Sequence, residues 1–212
     1  LRASQAVIHL LDSTTENDRV LLLLSGGGSA LLPAPVAALS LDDLQATTDA
    51  LLRAGATIGE LNTVRKHLSQ LKGGQLARKA VPAPLVALIL SDVVGDPLDV
   101  IASGPTAPDP TTYAEAWAIL ERFNLIDRMP AAVVSHLNAG CNGHVDETPK
   151  PGDAIFASVA NVIVGANHLA AEAVTTKAKA MGYSPLLLST FVEGEAREVA
   201  KIAIAFMREV QA

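Results

Sequence analysis

Apolar residues fall into two patterns along this chain. Four short runs, Leu21–Leu24, Leu85–Ser91, Asn161–Val164 and Pro185–Ser189, have strand length and little alternation, as expected of parallel strands covered on both faces. Elsewhere apolar positions recur every three or four residues, the helical period. Residues 3–12 carry Ala6, Val7, Leu10 and Leu11 at that spacing. Ser40 and Asp43 make a capping-box-like start for a helix to about Ala54, with Leu41, Leu44, Thr48, Leu51 and Leu52 on one side. Gly55 stops it, and a second helix is predicted from Ile58 to about Leu71, burying Leu61, Val64, Leu68 and Leu71. A short helix follows over Gln75–Ala80. Asp109-Pro110 reads as N-cap plus first-turn proline for a helix burying Tyr113, Trp117 and Leu120. Another short helix follows Pro130, and two more span Asn167–Met181 and Glu195–Val210. Strands alternating with helices predict a parallel sheet between two helical layers, a single three-layer α/β unit.

The punctuation is as informative as the periods. The first strand stops at Ser25-Gly26-Gly27-Gly28-Ser29, and Pro33-Ala34-Pro35 follows as a rigid linker. Residues 92–109 show no period, and a loop of that length in a compact domain is functional or disordered. Residues 139–153 form a further loop rich in Gly, Asn and Pro.

Composition narrows the classes. At 212 residues, half of them hydrophobic and 18% charged, the chain is globular and long enough for a real core. A net charge of −6 with 3% aromatics argues against nucleic acid as a partner, which needs a positive stripe and stacking rings. No apolar run approaches the ~20 residues of a membrane helix. Cys141 is the only cysteine, so no internal disulfide exists and a reducing compartment fits.

Three elements could carry chemistry. Glycines let the turn at 25–29 approach a ligand closely, and its N–H groups with the Ser25 and Ser29 hydroxyls suit an anion. A ligand-free strand-to-helix corner is the alternative. The stretch is not a P-loop, because no Lys-Ser/Thr pair follows the glycines. Arg65 and Lys72, seven positions apart, share one helix face, beside Lys66 and the Gly73-Gly74 step. They suit a di- or triphosphate; a solvated basic face with a glycine cap is the plainer reading. Asp92 lies just past a strand's carboxyl end, where open α/β sheets bind ligands. It could hold Mg²⁺, act as a base on a hydroxyl or merely cap a turn, with Asp96 and Asp99 as further candidates. Ser103 and Gly104 form another hydroxyl-bearing glycine turn, and Asn167 is an N-cap or a ligand contact. Cys141, His144 and Asp146 lack the second ligand pair of a zinc site.

In order along the chain, Leu24-Ser25-Gly26-Gly27-Gly28-Ser29-Ala30-Leu31, Asn62-Thr63-Val64-Arg65-Lys66-His67-Leu68-Ser69, Lys72-Gly73-Gly74, Leu90-Ser91-Asp92-Val93-Val94-Gly95-Asp96 and Val100-Ile101-Ala102-Ser103-Gly104-Pro105-Thr106 resemble the class II glycerate 2-kinases, also described in bacteria as hydroxypyruvate reductases. Gly165-Ala166-Asn167 and Glu193–Glu198 fit the same pattern. The resemblance implies a cytoplasmic enzyme that uses ATP and Mg²⁺ to phosphorylate the 2-hydroxyl of D-glycerate. It implies a three-layer α/β/α Rossmann-like domain with a mostly parallel sheet, facing a C-terminal domain across a cleft. On that basis residues 1–212 are part of the N-terminal domain, without its first segment or the C-terminal domain, and inactive alone. A homodimer is left open. The site residues implied are Lys66, Lys72 and Asp92 for catalysis and Ser25 to Ser29, Arg65, Gly73, Gly74, Ser103, Gly104 and Asn167 for binding, with Asp92 and Asp96 on the metal. The rivals are a reductase, for which no G-x-G-x-x-G follows a strand, and a non-catalytic phosphate- or sugar-acid-binding module.

Overall fold

The computed structural model describes residues 1–211. The helix α1 (Arg2–Asp12) leads into strand β1 (Val20–Leu24), the one-turn helix α2 (Gly28–Leu31), α3 (Leu41–Arg53), α4 (Ile58–His67) and α5 (Gln75–Ala80). Strand β2 (Leu85–Leu90) precedes a long irregular stretch, α6 (Tyr113–Arg122) and α7 (Ala131–Cys141). Strand β3 (Val159–Gly165), α8 (Asn167–Ala180) and α9 (Ala196–Gln211) complete the order. The strands form a parallel sheet in the order β1-β2-β3, with Val20 opposite Leu85 and Leu85 opposite Val159. This is the expected α/β architecture, a parallel sheet flanked by helices.

Two apolar clusters hold it together. One lies under the sheet and joins Leu11, Leu71, Leu76, Leu85, Ala87, Ile89 and Ile101. The other lies among α3, α4, α6 and α7, around Leu51, Val64, Leu68, Leu120, Val133 and Leu137. These six are completely shielded from solvent, and each such side chain contributes about 1.5–3 kcal/mol. Leu68 belongs to one cluster and Leu71 to the other, so the segment after α4 is anchored on both sides. On the opposite sheet face Leu21, Leu23, Val86, Leu90 and Val164 are exposed.

Several elements differ from the sequence reading. Helix α4 ends at His67, four residues early, because the next backbone groups pair elsewhere. Val36 N–H donates to Leu68 O, Gln70 N–H donates to Ala34 O, and Pro35 bridges Ser69. On α3 it is Thr47 that is buried with Leu51, while Leu52 is exposed. The helix expected at Asp109-Pro110 begins at Tyr113 instead. Thr112 caps it in a capping box with Glu115, and Asp109 is buried in another role. Asn167 is the first residue of α8 rather than its cap, which is Ala166. Helix α7 continues to Cys141, into the stretch expected to be loop. Residues 185–189 form no strand, and Leu186, Leu187 and Leu188 are exposed. So short an apolar run becomes a strand only when a sheet edge accepts its backbone.

Candidate active site

The carboxyl end of β1 turns at Gly27, whose φ of 81° favours glycine, into α2. This brings Ser29 against the segment after α4. Lys72 Nζ donates to the Ser29 carbonyl at 2.6 Å, and Arg65 Nη2 donates to the same oxygen at 3.0 Å. The two cations therefore converge although α4 ends before Lys72. The turn after His67, rather than a shared helical face, brings them together. Both line a cavity of about 260 Å³ with Ala30, Pro33, Gln45 and Asp49. Among the described residues neither makes an ion pair within 4 Å. Lys72 is 6% exposed, and burial, with the Arg65 charge next, lowers its ammonium to about 7. Two desolvated cations on one carbonyl form a site for an anion.

Asp92 flanks the turn from β2. A Cβ on Gly26 would lie 2.5 Å from Asp92 Oδ2, so only a glycine leaves this carboxylate where it is. Gly26→Ala is therefore expected to displace Asp92, an exposed side chain, at little cost in stability. If Asp92 serves turnover, kcat of the full-length protein falls about ten-fold while Tm changes by less than about 2 °C. Equal kcat in mutant and wild type would show that the placement of Asp92 is immaterial.

Other residues singled out in the sequence hold the site together rather than face it. Lys66 is buried and its Nζ lies 3.3 Å from Asp109 Oδ1 and 3.5 Å from Asp99 Oδ2. Its charge is already matched inside the protein by these two carboxylates. The N–H groups of Gly73 and Gly74, expected to meet phosphate, donate instead to Ser103 O (2.9 Å) and Gly104 O (2.7 Å). Gly104 takes φ 61°, and a Cβ there would meet the Asp99 backbone at 2.8 Å. The Ser103 hydroxyl is buried against Ser29 Oγ and Asn62 Oδ1. Asp96 pairs with His168, Nδ1 to Oδ2 at 3.1 Å, and Asn167 Nδ2 donates to Thr190 O. Of the residues singled out in the sequence, Arg65 and Lys72 line the cavity, and Asp92 lies beside Gly26 in the glycine turn. Among the described residues no three His, Cys, Asp or Glu cluster as metal ligands do.

A larger cavity of about 730 Å³ lies between α3 and the end of α6, lined by Arg53, Arg122 and Arg128. Arg53 and Arg122 occupy the last turns of their helices, where exposed carbonyl ends favour cations. Helix electrostatics account for them without a ligand.

Glu147 was invisible to sequence reasoning, since no local motif marks it. Its Oε1 lies 2.9 Å from His67 Nε2 and accepts from Thr148 N–H, and its Oε2 accepts from Tyr113 N–H. It ties α4 to α6 directly behind the basic segment. Burial opposes the charged form, but the His67 contact and the two backbone N–H groups outweigh it and hold Glu147 at about 2. A carboxylate depressed from 4.5 stabilises the fold above pH 4.5, and that contribution is lost as pH falls toward 2. Denaturant titrations at pH 6, 4 and 3 should show a steeper acid loss in the wild type than in Glu147→Gln. Parallel curves would mean that Glu147 has no such role.

Zebrafish glycerate kinase is 46% identical over 201 residues, which are 95% of this chain and 40% of that protein. Glycerate 2-kinase of Pyrococcus horikoshii is 41% identical over 98% of the chain and 46% of its own length. The crystal structure of Thermotoga maritima glycerate kinase superimposes with a TM-score of 0.85 at 40% identity, covering 99% of this chain and 47% of that one. The chain thus spans less than half the length of these relatives. Residues 1–138 match the family described as a domain of unknown function, DUF4147, and the chain belongs to that family.

Proposed function

We propose that these residues form part of a glycerate 2-kinase, which transfers a phosphoryl group from ATP to the 2-hydroxyl of D-glycerate and releases ADP and 2-phosphoglycerate. The observation that carries the reading is the pair Arg65, half-buried, and Lys72, buried, both on the Ser29 carbonyl past a strand end with no carboxylate partner among the described residues. Likeness to glycerate kinases along nearly the whole chain supports it. Phosphoryl transfer asks a protein chiefly for positioning and charge neutralisation, and two desolvated cations beside a glycine turn supply both. Arg65 and Lys72 would bind the transferring group or the glycerate carboxylate.

Asp92 fits Mg²⁺, which prefers one or two carboxylates plus substrate phosphates, because its carboxylate has no ion-pair partner among the described residues and sits over Gly26. Asp96 is engaged by His168 and fits less well. Bound there, Mg²⁺ would offset the negative charge of the phosphate oxygens. Asp92 would otherwise orient the attacking hydroxyl. On this reading the chain is the Rossmann-like N-terminal part of a cytoplasmic enzyme acting on small molecules, and further catalytic groups come from outside it. No helix of the described residues is long and apolar enough to cross a membrane.

The test is the full-length protein with ATP, Mg²⁺ and D-glycerate, following ADP release and identifying the product by NMR. Hydroxypyruvate with NADH is the control. Oxidation of NADH with no ADP formed would overturn the reading in favour of a reductase, and anion binding without turnover would favour a binding module.

A further inference from the structure

We propose that Ser103 is a positioning residue that fixes Ser29, and through Ser29 holds the two cations of the site at the cavity wall. The proposal rests on the kinase reading only for its activity readout.

Four side chains form one line of hydrogen bonds. Lys72 Nζ lies 3.2 Å from Ser29 Oγ, Ser29 Oγ lies 2.8 Å from Ser103 Oγ, and Ser103 Oγ donates to Asn62 Oδ1 at 3.0 Å. The Asn62 amide oxygen only accepts, so it takes the single Ser103 hydroxyl proton, and the line runs in one direction from the Lys72 ammonium inward. Lys72 donates to Ser29, Ser29 to Ser103, and Ser103 to Asn62. The Ser29 hydroxyl proton is therefore turned inward, and its oxygen faces Lys72. The same residue offers its carbonyl to both Lys72 and Arg65. Ser29 is the cradle of the cations, not a free donor to phosphate, and Ser103 sets its orientation.

The backbone supports this assignment. Ala102 and Ser103 sit at φ 51° and 63°, both in the left-handed region that L-residues avoid at about 1–2 kcal/mol each. Neighbouring contacts keep them there, because Ser103 O, Gly104 O and Pro105 O accept from the N–H groups of Gly73, Gly74 and Ala77. The strained turn presses a serine hydroxyl, 1% exposed, under the glycine turn. A residue kept in a costly conformation at the link between Ser29 and Asn62 points to placement as its task. A plainly structural serine would satisfy its own hydroxyl and leave Lys72 unaffected. The charged groups facing Lys72 are Arg65 from α4 and Asp49 from α3, and the variants below leave both in place.

The experiment compares Ser103→Ala and Ser103→Gly with wild type in the full-length protein. Both remove the hydroxyl, and only glycine relieves the left-handed backbone. Thermal melting should rank Ser103→Gly above Ser103→Ala. ATP-dependent turnover should fall about ten-fold or more in both. A second readout is independent of turnover: the pH dependence with which a small acylating reagent labels Lys72, followed by peptide mass spectrometry. Its midpoint should move by half a unit or more in both variants. If Ser103→Gly recovers activity along with stability, or if the labelling midpoint matches wild type, Ser103 does not position Lys72. If no phosphoryl transfer occurs in any variant while the labelling midpoint moves, the positioning role stands and the kinase reading fails.

Discussion

Lys72→Met in the full-length protein is expected to lower kcat/KM for glycerate phosphorylation by about 10²–10³-fold, the usual consequence of losing one donor to developing charge in a dry site. The same change should make the protein more stable. The Lys72 amine is buried beside Arg65 without a carboxylate partner among the described residues, and its folded ammonium titrates near 7 against 10.5 unfolded. Between those values the unfolded chain binds more protons, so wild-type stability rises with pH across that window. Methionine removes the slope, and its advantage is greatest below pH 7, on the order of a few kcal/mol. Steady-state kinetics and urea denaturation at pH 6 and pH 9 read both effects. Activity within a factor of a few of wild type, or a loss of stability at pH 6, would take Lys72 out of the anion site.

Asp109→Ala should have the largest effect on stability. Asp109 is fully buried and is a near partner of the buried Lys66 ammonium. It also accepts hydrogen bonds from Thr111 N–H, Thr111 Oγ1 and Thr148 Oγ1. Burial disfavours its charge, yet Lys66 and the Thr111 donors keep the carboxyl below its usual range. Removing one member of a buried pair leaves the other charge uncompensated, at about 3–5 kcal/mol. The nearest substitute is Asp99, which is partly exposed and 3.5 Å away. The double change Lys66→Met with Asp109→Leu should recover part of the loss, because no buried charge is then stranded. A loss under about 1 kcal/mol in the single mutant would show that water reaches Lys66 and that the pair is not sealed.

What could be read from the sequence divides along a physical line. Local signals were legible: the apolar runs that become β1 and β2, the capping box at Ser40, the glycine turn after Leu24, and the nearness of Arg65 to Lys72. One helix does not carry both cations, however, and the turn after His67 brings them together instead. Pairings across long separations were not legible. Asp109 followed by proline resembles a helix start, and its real partner, Lys66, lies far back in the chain. Thr112 and Glu115, the true capping pair, stood three residues further on. Ser103, Gly73 and Gly74 have donors that suit a phosphate, yet those donors are used inside the protein. Residue type does not reveal which way a hydroxyl or an N–H points. Glu147 carries no motif, and its importance arises only when α4 and α6 pack.

The register of the sheet bears on the order of assembly. Val20 must find Leu85, and Leu85 must find Val159, so every rung closes a long loop, and such topologies fold slowly. The anion pocket is lined by residues from Ala30 to Lys72, drawn from α2, α3 and the segment around α4, so it exists only in the folded chain. Anything that occupies it binds the finished molecule alone and stabilises it by mass action, by about 2.7 kcal/mol when ligand stands at a hundred times its Kd.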